Sequence, residues 1–175
     1  VASLTTSIPE APGSGRNWDY RYCWLRDAFY TLDALRLLGQ FDERQAFIDY
    51  LLSVAGASGP LDLKPLYRVD GSPQLDESTL PHWAGFEGHG PVRIGNAAVG
   101  HAQHDIYGEM VLALAPIYFD ERFSAERSPA TLDLLKRLAG RALEVAGTPD
   151  AGLWEYRSGW REHTFSTVMS WAAAD

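Results

Sequence analysis

The sequence has one cysteine, Cys23, so no internal disulfide can form, and a cytoplasmic home is the default expectation, although a lone thiol does not forbid secretion. Cations are scarce as well. Fifteen Lys and Arg stand against 23 Asp and Glu, a formal net charge of −8. Nucleic acids and anionic membranes are held mainly by clustered Lys and Arg, so neither is an expected partner, and a neutral substrate fits better. No long apolar run and no basic amino-terminal region is present, which argues against a spanning helix or a signal peptide. The chain opens at Val1 rather than Met and its last helical pattern stops at Asp175, so an excised segment of a longer protein is expected. Glycine-rich phosphate loops, a Gly-x-Ser-x-Gly elbow and the paired-cysteine spacing of zinc sites are missing too. His101, His104 and Asp105 imitate part of a metal site, but no Glu-x-x-His pair or third ligand at a defined spacing goes with them. No metal and no cofactor is therefore expected.

What remains is a globular composition: 175 residues, 46% of them apolar, enough for the core of one domain and too apolar for disorder. Aromatic residues are plentiful, with six Trp, eight Tyr and seven Phe, and several adjoin charged residues or glycines. A rigid ring beside a polar group suits a sugar, which offers an apolar face and a rim of hydroxyls, though core packing would account for many of them.

Helical periodicity dominates. Leu25, Phe29, Leu32, Leu35 and Leu38 mark one amphipathic helix ending at Gly39. Asp42 with Gln45 resembles a capping box, and Ala46, Phe47, Tyr50, Leu51 and Val54 form a second stripe running to Gly56. The short link between them implies an antiparallel pair. Ile106, Met110, Ala113, Leu114 and Ile117 form a third, which Pro116 should kink or end. Ser128-Pro129 reads as a cap followed by a first-turn proline, ahead of Leu132, Leu135, Leu138, Ala142 and Val145. Phe165, Val168, Met169 and Ala172 give a fifth stripe. Residues 57–102 and 148–163 have no period but are rich in aromatics, so ordered loops over a site are expected there.

Two stretches could carry chemistry. Residues 16–28 pack three Arg, two Asp and four aromatics into Arg16-Asn17-Trp18-Asp19-Tyr20-Arg21-Tyr22-Cys23-Trp24-Leu25-Arg26-Asp27-Ala28. Arg26 and Asp27 could hold adjacent sugar hydroxyls against a Trp24 wall; equally, Asp27 could serve the helix macrodipole while Arg26 is solvated. Further on, Gly152-Leu153-Trp154-Glu155-Tyr156-Arg157 sets a carboxyl directly after an indole. Burial there would raise its pKa, as a general acid needs, while a solvated Glu155 paired with Arg157 is the plainer account. Glycosidic cleavage normally takes two carboxylates, and this motif offers one.

These stretches, with Thr5-Thr6-Ser7-Ile8-Pro9-Glu10, Pro91-Val92-Arg93-Ile94-Gly95-Asn96-Ala97-Ala98, Gln103-His104-Asp105-Ile106-Tyr107-Gly108-Glu109 and Ser166-Thr167-Val168-Met169-Ser170-Trp171, resemble in order the bacterial branch of glycoside hydrolase family 15, which includes glucoamylases, glucodextranases and trehalases. The resemblance implies an all-α fold, with residues 1–175 forming roughly the first half of an (α/α)6 barrel of helical hairpins with long active-site loops, and with any amino-terminal β-domain and the carboxy-terminal half lying outside the chain. It implies an inverting exo-α-glucosidase in which Glu155 is the general acid, Arg26 and Asp27 hold the terminal glucose, and Trp24 and Trp154 line the pocket. The catalytic base would lie beyond Asp175. The implied partners are an α-glucoside, either a starch-type oligosaccharide or trehalose, and the rest of the same catalytic domain. Fungal relatives place a second Glu after the acid; Tyr156 stands there, so that sugar subsite does not transfer. The rival reading is a non-catalytic helical module that binds carbohydrate or protein.

Overall fold

A computed structural model describes residues 7–56 and 61–175. Where composition suggests one domain, the chain's contacts separate two compact units, one formed by the residues up to Trp24 with Leu66–Gly100, the other by Leu25–Pro65 with His101–Asp175.

The second unit is helical. Its elements are α1 (Leu25–Leu37), α2 (Asp42–Ala55), α3 (Asp105–Leu114), α4 (Pro116–Phe119), α5 (Pro129–Val145) and α6 (Thr164–Ala174). The third expected helix is thus two, broken at Pro116, whose ring and missing N–H end α3. Helix α3 is the hub: it packs against α1, α5 and α6, and nine of its ten residues are buried. Helix α1 also packs against α2, as the short link requires. The cap of α5 forms as read, with Ser128 Oγ accepting from the Thr131 N–H at 3.1 Å and Pro129 in the first turn. Its buried face runs through Leu134, Leu138, Ala142 and Val145, while Leu132 is exposed.

Three local readings are corrected by packing. Asp42 is the first helical residue of α2 rather than its cap; Phe41 precedes it without a side-chain bond, and Gln45 bonds to Asp49 instead. The α2 face that is buried holds Arg44, 2% exposed, which donates to the Ala113 carbonyl at 2.7 Å and lies over the Phe123 ring. Helix α6 buries a face beside its expected stripe: Ser166 and Ser170 are buried, Phe165, Met169 and Ala172 are half-buried, and Val168 and Trp171 are 44% and 65% exposed. The cause lies on α3, where a Cβ at Gly108 would collide with the Met169 carbonyl, so the two backbones approach closely across small residues.

The first unit is built from two minimal antiparallel ladders: β1 (Cys23–Trp24) with β2 (Leu66–Tyr67), and β3 (Ser78–Thr79) with β4 (Arg93–Ile94). Trp24, Leu66, Leu75 and Ala98 form its core, with Tyr20, Tyr22 and Val99 packed against them. Asp19 laces the rest. It accepts from Arg21 Nε and Nη2, both at 2.7 Å, from the Tyr22 hydroxyl at 2.9 Å and from the Gly95 N–H at 3.2 Å. The aperiodic stretch after α2 is therefore ordered, with residues 57–60 outside the described set. Among the described residues no helix is long and apolar enough to cross a membrane.

Candidate active site

Arg26 sits in the first turn of α1, inside the helical unit and 8% exposed. A buried guanidinium needs partners, and α3 supplies them. Asp105 Oδ2 accepts from Nε at 2.7 Å and lies 2.7 Å from Nη2, while Nη2 also donates to Gln103 Oε1 at 2.7 Å. One helical turn beyond Asp105, Glu109 brings Oε1 to 3.9 Å from Nε. On the remaining edge, Nη1 stands 3.9 Å from Glu155 Oε1. That gap is too long for a hydrogen bond and is of a size that one oxygen atom, of water or of a sugar hydroxyl, can bridge.

Several carboxyl groups therefore crowd one cation in a dry setting. Burial raises Glu109 to about 8, with Asp105 and Asp27 pushing the same way and Arg26 opposing. Burial likewise raises Glu155 to about 7; Arg26 and Gln103 favour its anion, and Asp27 and Asp105 oppose it. Asp105 is also raised by burial, despite its bonds to Arg26. Burial works against the charge of Arg26, but Asp105, Glu109 and Glu155 outweigh it and keep it protonated. Glu109 is fully enclosed, and neither of its oxygens has a hydrogen-bond partner among the described residues, so a neutral carboxylic acid is the form its surroundings tolerate.

Glu155 reaches this place on a tightly folded loop. Its N–H donates to the Gly152 carbonyl at 3.0 Å, and the Tyr156 N–H to Ala151 at 2.9 Å. The Glu155 backbone is left-handed, φ 55°, a conformation that costs a residue with a Cβ on the order of 1–2 kcal/mol. Such strain persists where surrounding structure imposes it, and it collects at functional sites. The side chain is 22% exposed, enough for a ligand to touch and too little for a solvated surface carboxylate.

Of the residues singled out in the sequence, Arg26, Asp27 and Glu155 come together, although about 130 positions separate the two motifs. Asp27 is exposed at the rim and acts on both glutamates electrostatically. Trp154 is 77% exposed, so the indole gives Glu155 little cover; the floor around Arg26 does that. Trp24 is 5% exposed and belongs to the core of the first unit, with Leu66, Leu75 and Ala98. His101 and His104 are not arranged as ligands. The His101 ring packs edge-on to Trp160, and the His104 ring nitrogen meets Thr148 Oγ1 at 3.1 Å. Among the described residues no group of three or more His, Cys, Asp or Glu could hold a metal ion.

Apolar periodicity does not single out Gln103, Asp105 and Glu109 as site residues. Their signal was available: two acids at i and i+4 on an otherwise apolar helix put two like charges on one buried face, which only a nearby cation or a bound proton makes tolerable.

The family model of glycosyl hydrolases family 15 matches residues 1–175. The chain is 39% identical over 180 residues to a trehalase of Mycobacterium tuberculosis, 37% over 179 to a trehalase of Mycolicibacterium smegmatis and 36% over 177 to trehalase 1 of Sulfolobus acidocaldarius. Each alignment takes in all of this chain but only 26%, 26% and 31% of the relative, so the chain spans between a quarter and a third of their length. No solved structure gives a significant match. A family match that runs through every residue, including both stretches that meet at Arg26, places this chain in family 15 of the glycosyl hydrolases.

Proposed function

We propose that the whole protein is an inverting, exo-acting α-glucosidase whose substrate is trehalose, and that this chain contributes its general acid and part of its glucose pocket. The observation that carries the reading is Glu155: largely enclosed, raised to about 7, and 3.9 Å from the one edge of Arg26 not already bonded to Asp105 or Gln103. A carboxylic acid with that pKa keeps a proton near neutral pH and can still give it up, which is what a departing sugar oxygen requires. Arg26 and Asp27 offer donors and an acceptor to the hydroxyls of the terminal glucose, and exposed Trp154 offers a ring face at the mouth.

In this mechanism Glu155 protonates the glycosidic oxygen as the bond to the anomeric carbon breaks. A second carboxylate, in the part of the protein beyond this chain, takes a proton from the water that attacks the opposite face. Room for that water sets the two carboxyl groups roughly 6.5 to 9.5 Å apart. The remainder of the (α/α)6 catalytic domain is also the occupant we assign to the outward face of α6, where Val168 and Trp171 stand exposed in a chain that covers 26% of its mycobacterial relatives. Trehalose is favoured over starch-type oligosaccharides because the relatives named above are called trehalases.

The test uses the full-length enzyme on trehalose, maltotriose and soluble starch, with Glu155→Gln beside it. The variant should lose on the order of 10²- to 10⁴-fold in kcat on trehalose. It should keep activity on a dinitrophenyl α-glucoside, whose leaving group needs no proton. NMR should show β-glucose formed first from the attacked ring. Initial release of only the α-anomer, or equal loss on both leaving groups, would contradict the assignment.

A further inference from the structure

The loop that carries Glu155 is fastened at its base by a carboxylate that the chemistry above does not use. Asp150 is fully buried. Its Oδ2 accepts two hydrogen bonds, one from the His104 N–H at the start of α3 and one from Ser166 Oγ on α6, each at 2.8 Å. Its backbone pairs with Arg161, N–H to carbonyl in both directions at 3.0 and 3.3 Å, which closes the loop into a ring of chain around Glu155. Next to it, the Ala151 N–H donates to the Ala102 carbonyl at 2.9 Å. The interior of the ring is filled. Tyr156 stacks on His163 at 5.7 Å, and Gly152, φ 65°, leaves no space for a Cβ, which would stand 2.6 Å from the His163 ring.

These contacts join both halves of the site at one residue. His104, held by Asp150, lies between Gln103 and Asp105, the residues that bind Arg26. Five positions after Asp150 comes Glu155. Any shift of the Asp150 carboxylate therefore moves the acid relative to the guanidinium it faces. We infer that Asp150 is a positioning residue: its carboxylate, bridging the His104 N–H at the start of α3 and the Ser166 hydroxyl of α6, sets the placement of Glu155 against Arg26. Asp150 Oδ1 and His163 Nε2 lie 4.0 Å apart, each enclosed without a hydrogen-bond partner among the described residues, so the anchoring there falls to Oδ2. An acceptor oxygen is then what the position requires, and asparagine can supply one.

This inference rests on Glu155 being the general acid, and the experiment separates the two claims. Full-length wild type, Asp150→Ala, Asp150→Asn, Ser166→Ala and Glu155→Gln are assayed on trehalose and on a dinitrophenyl α-glucoside, and the ratio of the two kcat values is the readout. Misplacing an acid by about an ångström costs on the order of 10- to 100-fold where its proton is needed and little where it is not. Asp150→Ala should therefore depress trehalose turnover selectively, Asp150→Asn should restore most of it, and Ser166→Ala should move the ratio the same way by less. A purely structural role would lower the melting temperature or both activities together and leave the ratio alone; that result overturns the inference while Glu155→Gln still shows its selective loss. If Glu155→Gln shows no selectivity either, the reading of Glu155 falls, and the inference with it. Should Asp150→Ala fail to fold, the ratio in Ser166→Ala decides, and an unchanged ratio there counts against Asp150.

Discussion

Asp19 in the first unit and Glu155 in the second each face an arginine, yet their surroundings act on them in opposite directions. Asp19 is 2% exposed, and the hydrogen bonds it accepts from Arg21, Tyr22 and Gly95, two of them from the Arg21 guanidinium at 2.7 Å, match what an ionised carboxylate wants. Burial alone would raise its pKa, but the bonds from Arg21 and Tyr22 overcome that and lower it. Around Arg26 the proportions are reversed. Asp105 takes the good bonds, Glu109 and Glu155 stand 3.9 Å off, and burial keeps both near their proton, at about 8 and about 7. A matched pair fixes structure; a cation with too many carboxyl groups stores protons close to neutral pH. The difference lies in how many donors each carboxyl group finds, since burial is common to both sites.

The strongest way to break the comparison is Arg26→Gln. Removing the shared cation strands Asp105 at the centre of the site, and the stability lost should be on the order of 3 kcal/mol. Chemical denaturation at neutral pH measures this; a variant as stable as wild type would mean that Arg26 does not hold the carboxyl cluster.

Asp19→Asn tests the other side. It removes one charge from a satisfied network, and the loss should be about 1–3 kcal/mol at neutral pH. Because the folded-state pKa of Asp19 is depressed, that contribution is present above the unfolded value near 3.8 and fades as pH falls through the folded value. Wild type and variant should converge in melting temperature toward strong acid. A gap that stays constant down to acid pH would show that the Asp19 charge is not what stabilises the loop unit.

Glu109→Gln should give the opposite sign, a gain in stability at neutral pH, because the neutral amide needs no proton to stay buried. The folded-state pKa is raised from 4.5 to about 8, so the folded protein binds the proton more tightly than the unfolded chain does. Stability associated with this group is complete below about 4.5 and is lost as pH rises through about 8. The advantage of the variant over wild type should therefore widen across that window. A melting-temperature difference that is flat with pH would mean that Glu109 is not holding a proton.

How much of this could be read beforehand depends on the range over which each cause acts. The ends of α1 and the cap of α5 follow from neighbours within a turn, such as Gly39 and the Ser128-Pro129 pair, and both were legible. In helix α6 periodicity gives a stripe but not what covers it, and the burial of Ser166 and Ser170 goes with the close approach of Gly108 on another helix. Asp42 has a capping residue's chemistry, yet Phe41 takes the position, and Arg44 is buried because a carbonyl and a ring from distant segments receive it. At the candidate site, motif and resemblance single out Arg26, Asp27 and Glu155, which the fold brings together, and Trp24, which is buried in the core of the first unit. The i, i+4 spacing of Asp105 and Glu109 marks a buried acidic pair but not the arginine that meets it, and the contacts of Asp150 depend on α3 and α6, which sequence spacing alone does not bring together.

The most direct test of the account is the titration of Glu155 itself, followed by carboxyl-carbon NMR of glutamate-labelled protein with Glu155→Gln to assign the signal. The account predicts one glutamate resonance, absent from the variant, that titrates with a midpoint at about 7. A Glu155 midpoint near the ordinary value of 4.5 would mean that it is ionised in the resting protein and unfit to serve as the acid, and the contrast drawn with Asp19 would fail at its central residue.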